Sequence, residues 1–187
     1  MDSYVYDAYG IDMSTMYGGA TFDNSGTISG SIDVSVSATA AGTSGAALAS
    51  VDSYVYGAYG IEMSTMYAGA TLDNSGTISG SIDVAATASA PLGHATATLD
   101  SVSDAYGIDM SDLDAGATFD NSGSIKASID VSAKAAGNTS AHAYLSATDA
   151  YGIYMSDLDG TLTNSGTISG SVTGQAEATA VSGTAYA

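Results

Sequence analysis

The chain has no cysteine, only two basic residues and no long apolar run in its 187 residues. Without cysteine there are no disulfides, thiolate metal sites or cysteine nucleophiles. An extracellular protein that needs no disulfides fits this lack. The basic residues are Lys126 and Lys134, set against 20 acidic ones, for a formal net charge of -18. Phosphate binding needs Lys and Arg, so nucleic acid is excluded as a partner. An anionic membrane surface is a poor partner for the same reason. Divalent cations or basic partners suit the charge better. No apolar stretch is long enough for a membrane-spanning helix, so no membrane insertion is expected. No secretory leader is visible at Met1, so export would require a leader already removed or lying outside this chain.

Large aliphatic side chains are also scarce. The hydrophobic share is 45%, but much of it is Ala, accompanied by 23 Gly. Composition alone would allow disorder. The order in the pattern argues against it. AYGIDM at Ala8 returns as AYGIEM at Ala58, AYGIDM at Ala105 and AYGIYM at Ala150, at spacings of 50, 47 and 45 residues. DNSGTISGSIDV at Asp23 returns at Asp73, then as DNSGSIKASIDV at Asp120 and TNSGTISGSVTG at Thr163. Four imperfect repeats follow, approximately 1–50, 51–97, 98–144 and 145–187. Ile11 and Asn24 lie 13 residues apart, as do their counterparts in the next two copies, while Ile153 and Asn164 are 11 apart. The stretches between motifs, such as AAGTSGAALAS and APLGHATATLDS, read as loops.

Within each copy the side chains alternate. Phe22, Ile28, Ile32, Val34 and Val36 share one parity with small residues, and Thr21, Asp23, Thr27, Ser29, Ser31 and Asp33 share the other. Period two over this distance means strand, since a helix would scatter the isoleucines around its axis. YGIDM reads as a second strand, with Tyr9, Ile11 and Met13 on one face and Gly10 and Asp12 on the other. The alternating run is about 20 residues, or ~66 Å if straight, so it must bend. NSG and SG are the expected corners because glycine tolerates unusual dihedrals. Each unit then holds three strands: YGIDM, the TF/TI segment and the SIDVSVSATA segment.

Parallel stacking of such units gives an all-β protein, a parallel β-solenoid of four repeats of 45–50 residues. Equivalent residues would sit about 4.8 Å apart. The expected ladders are Asn24–Asn74–Asn121–Asn164, Tyr9–Tyr59–Tyr106–Tyr151 and Ile28–Ile78–Ile125–Ile168. One large coil per repeat and two small coils both remain open. The ladder tyrosines are expected to pack as a core or edge stack. Tyr4, Tyr6, Tyr54 and Tyr56 precede the strand, where packing competes with stacking on sugars or on a neighbouring subunit.

The pattern GI-x-x…T-x-NSGTI…A-x-A is carried in all four copies by AYGI, by NSGTISGS and its variants, and by the Ala-rich strand. It resembles repeats of bacterial autotransporter passenger regions and filamentous-haemagglutinin-type secreted adhesins. That resemblance implies a right-handed parallel β-helix, export to the cell surface, and a role in adhesion or matrix, with host or matrix glycans as partners.

Signs of catalysis are weak. His94 and His142 fall in the variable stretches without a repeated partner. Ser and Asp are so common that a Ser-His-Asp set on paper means little. No phosphate-binding loop, dinucleotide fingerprint or calcium nonapeptide is present. The chain is therefore not expected to be an enzyme. Stacking would align Asp12 with Glu62 and Asp109, Asp23 with Asp73 and Asp120, and Asp33 with Asp83 and Asp130. Like charges about 5 Å apart repel by roughly 0.8 kcal/mol per pair at water's dielectric. Either Ca²⁺ bridges them at Asp23, Asp73, Asp120, Asp33, Asp83 and Asp130, or they splay into solvent with no cofactor bound. The fourth copy sheds the charges, with Tyr154, Thr163 and Thr173 in their places. A last unit without those charges can accept the acidic first unit of another molecule, and head-to-tail stacking without closure makes a filament. The expectation is an extracellular or cell-surface structural protein, a subunit of a fibre or adhesin shaft, with itself as partner. The alternative is an ion- or glycan-binding repeat module of a larger secreted adhesin.

Overall fold

The computed structural model describes residues 4–41, 45–51 and 55–187; Tyr54 lies outside them. Among the described residues every regular element is a strand. The first repeat contributes β1 (Val5–Met16), β2 (Thr21–Asn24), β3 (Thr27–Thr39) and β4 (Ala46–Val51). The second contributes β5 (Val55–Met66), β6 (Thr71–Asn74) and β7 (Thr77–Ala90). The long β8 (His94–Leu113) ends the second rung and begins the third. The third continues with β9 (Thr118–Asn121), β10 (Ser124–Gly137) and β11 (Ser140–Ala147). The fourth has β12 (Ala150–Leu158), β13 (Thr161–Asn164), β14 (Thr167–Ala180) and β15 (Thr184–Tyr186).

The strands form three parallel sheets. One joins β1, β5, the second half of β8 and β12, and alongside them β4, the first half of β8, β11 and β15. The second is β2-β6-β9-β13 and the third β3-β7-β10-β14. Each strand pairs with its equivalent one repeat away, so Asn24 faces Asn74 and Ile28 faces Ile78. One repeat is therefore one rung, not two. This arrangement is consistent with a parallel β-solenoid.

The variable stretches correct the sequence reading. They hold strands as well as turns: β4, the start of β8, β11 and β15 add a fourth segment to each rung. Their inward ranks are Ala47, Ala95 and Ala141. Alanine alternating with short polar residues looks like loop composition, yet pairing with a neighbouring rung makes it strand. NSG is a corner, but the SG of Ser29-Gly30 lies inside β3.

The tyrosine strand also differs from simple alternation. Tyr9 and Tyr151 are exposed, whereas Ile61 and Ile108 are fully buried. The register passes from Tyr59↔Tyr106 to Ile61↔Ile108 with no pair recorded at the glycine between. The strand bends there, so Tyr59 and Ile61 lie on different sides while Gly60 is buried. A Cβ on Gly60 would stand 2.5 Å from the Gly107 carbonyl oxygen and 2.6 Å from Ile78 Cγ2. Glycine is required at this rank because opposite walls nearly touch.

That pinch separates two cores. Beneath β7 and β10 the filling is alanine-rich, with Ala86, Ala88, Ala133 and Ala135 against Ala95, Ala97 and Ala141. Small side chains let the facing sheets approach closely. Beyond the glycines the three sheets enclose more space, and Met63, Met66, Leu72, Met110, Leu113 and Phe119 fill it. Burying each such large side chain contributes roughly 1.5–3 kcal/mol. The scarcity of large aliphatics thus reflects a thin half-core, not the lack of a core.

Candidate functional site: stacked ladders and the open edges

The polar ladder is built at the NSG corner. β2, β6, β9 and β13 each end on the asparagine, and the chain turns immediately afterwards. Turning inward, the amides pair with one another, and Asn24 and Asn121 also reach the Thr77 and Thr167 carbonyls. Asn24 Nδ2 donates to Asn74 Oδ1, Asn74 Nδ2 to Asn121 Oδ1 and Asn121 Nδ2 to Asn164 Oδ1, each at 2.7 Å. Asn24, Asn74 and Asn121 are 7%, 1% and 2% exposed and are the buried polar side chains among the described residues. Buried amides in a dry corner are tolerable only when so paired. Asn164 forms the exposed end of the row.

The aliphatic ladder runs beside it, with Ile78 and Ile125 0% exposed and Ile168 36%. The tyrosine ladder runs up the outside. Tyr9 and Tyr59 stack with ring centroids 5.0 Å apart, Tyr59 and Tyr106 at 5.2 Å, and Tyr106 and Tyr151 at 5.6 Å. Burial and the neighbouring Glu62, Asp7 and Asp12 push the Tyr9 phenol up to about 12. Burial first, then Asp109 and Glu62, raises Tyr59 further; burial and Asp104 do the same for Tyr106. These hydroxyls stay protonated. Tyr106 donates to Asp104 Oδ1 at 3.1 Å and Tyr151 to Asp149 Oδ1 at 3.0 Å.

Those acceptor aspartates were not singled out from sequence. Asp7, Asp104 and Asp149 have φ of 62°, 67° and 64°, and the same rank in the second rung is Gly57 at 84°. A column reading Asp, Gly, Asp, Asp before AYG is the signal of a left-handed position. SDAY and TDAY carried it in plain sight.

The three acidic columns stack as expected from the repeats, Asp12 on Glu62 on Asp109, Asp23 on Asp73 on Asp120, and Asp33 on Asp83 on Asp130. In the fourth rung Tyr154, Thr163 and Thr173 occupy these ranks. Tyr154 packs edge-on against Tyr106 at 5.8 Å. Burial, then Glu62 and Asp104, pushes the Asp109 carboxyl up to about 6. Burial and its neighbours Asp23 and Asp120 also raise Asp73. A shallow groove passes over Asp73, Asp120 and Thr163 with Ser75, Ser122 and Ser165. Among the described residues, no three His, Cys, Asp or Glu side chains gather as a metal cluster.

The histidines sit in strands. His94 Nδ1 lies 2.6 Å from Ser140 Oγ, and His142 stacks on Tyr186 at 5.1 Å. Both contacts join neighbouring rungs.

At the outer rungs the ladders meet edges. Val172 is 44% exposed, while its counterparts Ile82 and Ile129 are 1% exposed. No protein-family model, curated protein or solved structure matches the chain.

Proposed function

We propose that the chain is an extracellular structural protein, a right-handed β-solenoid subunit of a bacterial cell-surface fibre or adhesin shaft, stacking head-to-tail. The observation that carries the reading is the fourth rung. It keeps the register and the asparagine, tyrosine and isoleucine ranks but leaves Ile168 and Val172 at the surface and replaces the carboxylates of three stacked columns by Tyr154, Thr163 and Thr173, while Asp157 still pairs with Asp112. A parallel edge with bare apolar ranks favours pairing with another strand layer. Removing the charge lowers the barrier to that pairing. The outer Ser, Thr and Asp ranks hydrate the shaft. Handedness, export and the surface role come from the likeness of the AYGI and NSGTI repeats to secreted adhesin repeats. The chain works by shape and contact and has no catalytic role.

Electron microscopy of purified chain, with and without calcium, tests this. Unbranched fibres one solenoid wide are expected under both conditions. Monodisperse single molecules under both conditions would refute it.

The outward tyrosine column, exposed at Tyr9 and Tyr151 and half-buried between them, supports a second reading, a repeat module that binds glycans or ions along the ladder. It requires saturable binding that scales with the number of rungs.

A further inference from the structure

We propose that the NSG corner sets the direction of assembly, with rung 1 of one copy seated on rung 4 of another through an asparagine-to-asparagine bond. The inference rests on the fibre reading and specifies the joint.

Inside the stack the corner has a fixed polarity. Ser75 and Gly76 N–H donate to the Asn24 carbonyl at 2.8 and 3.0 Å, and Thr77 N–H donates to the Gly26 carbonyl at 2.8 Å. The same three bonds recur from rung 3 to rung 2 and from rung 4 to rung 3. Backbone donors here point toward rung 1 and acceptors toward rung 4. The side-chain ladder is equally polar but runs the opposite way, every Nδ2 toward rung 4 and every Oδ1 toward rung 1.

Each outer rung makes a local substitute for the missing neighbour. In rung 1, Gly26 N–H turns to the side chain and donates to Asn24 Oδ1 at 3.1 Å. In rung 4, Asn164 Nδ2 turns to the Gly166 carbonyl at 3.4 Å. Neither bond occurs in an inner rung among the described residues. In the joint both substitutes open. Asn164 Nδ2 donates to Asn24 Oδ1, the Ser25 and Gly26 N–H groups donate to the Asn164 carbonyl, and Thr27 N–H donates to the Gly166 carbonyl. The corner then repeats its inner pattern without interruption.

Charge selects the same orientation. Rung 1 on rung 4 sets Asp12, Asp23 and Asp33 against Tyr154, Thr163 and Thr173, and repeats between Asp7 and Asp149 the carboxylate neighbours already present at Asp104 and Asp149. Rung 1 on rung 1 would oppose carboxylate to carboxylate and N–H to N–H. Rung 4 on rung 4 would oppose carbonyl to carbonyl. The mixed joint continues the corner's hydrogen bonds and relieves three of the acidic columns.

The absence of cysteine makes a direct test simple. Ser25→Cys and Ser165→Cys each place one thiol at an exposed corner. The two variants are assembled alone and as an equal mixture, then treated with a short bis-maleimide. Cross-linked dimers in the mixture only are expected. Dimers from either variant alone, or fibres with no mixed cross-link, would overturn the joint while leaving fibre formation standing. Failure of the unaltered chain to form fibres would overturn both. Asn164→Asp is the second arm. Its carboxylate still accepts from Asn121 Nδ2, so circular dichroism and the unfolding midpoint should hardly move. It no longer donates, and the concentration at which fibres appear should rise roughly ten-fold or more at neutral pH. Protonating the new carboxyl restores a donor, so acidification should close the gap. Assembly of Asn164→Asp at the unaltered chain's concentration would refute the bond.

Discussion

Replacing Asn74 by alanine removes the middle of the buried amide row. Asn74 accepts from Asn24 and donates to Asn121, both at 2.7 Å, and is 1% exposed. After truncation Asn121 Oδ1 has no donor in a buried corner. Asn24 Nδ2 keeps only the Thr77 carbonyl at 3.3 Å. A stranded buried polar group costs about 1–3 kcal/mol. One full and one partial stranding therefore give Asn74→Ala a loss of about 2–4 kcal/mol. Asn164→Ala deletes the same chemical group at the exposed end, where water replaces it and Asn121 Nδ2 keeps the Thr167 carbonyl at 3.5 Å. That variant should lose less than about 1 kcal/mol. Urea unfolding of both variants, below the concentration for assembly, measures the difference through the midpoints. Equal losses at the two positions, or a negligible loss at Asn74, would refute the claim that the ladder is a buried structural spine.

Gly60→Ala should cost about 1–3 kcal/mol, since its Cβ meets the opposite wall; Gly26→Ala, with only Asn24 Oδ1 at 4.0 Å, should stay within about 0.5 kcal/mol by the same urea assay. Asp109→Asn removes a carboxyl whose folded value, about 6, lies above its ordinary one. The folded state therefore binds this proton more tightly than the unfolded chain. Its contribution is complete below the unfolded value near 4 and is lost as pH rises through about 6. Thermal melts should find the unaltered chain gaining stability from pH 7 down to pH 4.5, and Asp109→Asn more stable than it at pH 7 with a flatter profile. Equal profiles would refute the burial and repulsion assigned to that column.

Much of the fold was legible because the repeats print the register directly. A residue type that returns at Asn24, Asn74, Asn121 and Asn164 can be paired before any geometry is known. The ladder positions, the NSG corner and the stacked carboxylates all follow from that. What period-two counting missed was the bend at Gly10 and its copies, which sends Tyr9 outward and Ile11 inward. The signal was a glycine at the same rank in every copy, and its cause lies across the core, in atoms far away in sequence. The β4-type segments were missed for a different reason. Short Ala, Ser and Thr runs have little intrinsic preference for strand, and become strand by pairing with the next rung. The end-specific bonds of Gly26 and Asn164 are invisible in sequence, because they involve the same residues as the inner rungs in a different environment.

The central claim is that one repeat is one rung and that rungs continue across molecules. Diffraction from aligned fibres, or their helical reconstruction by electron cryo-microscopy, measures this directly. The expected result is a strand spacing of about 4.8 Å along the fibre axis with four rungs, about 19 Å, per molecule. An axial spacing of about 9.6 Å per repeat, strands running along the fibre, or two-fold symmetric pairs in place of a continuous polar stack would contradict it.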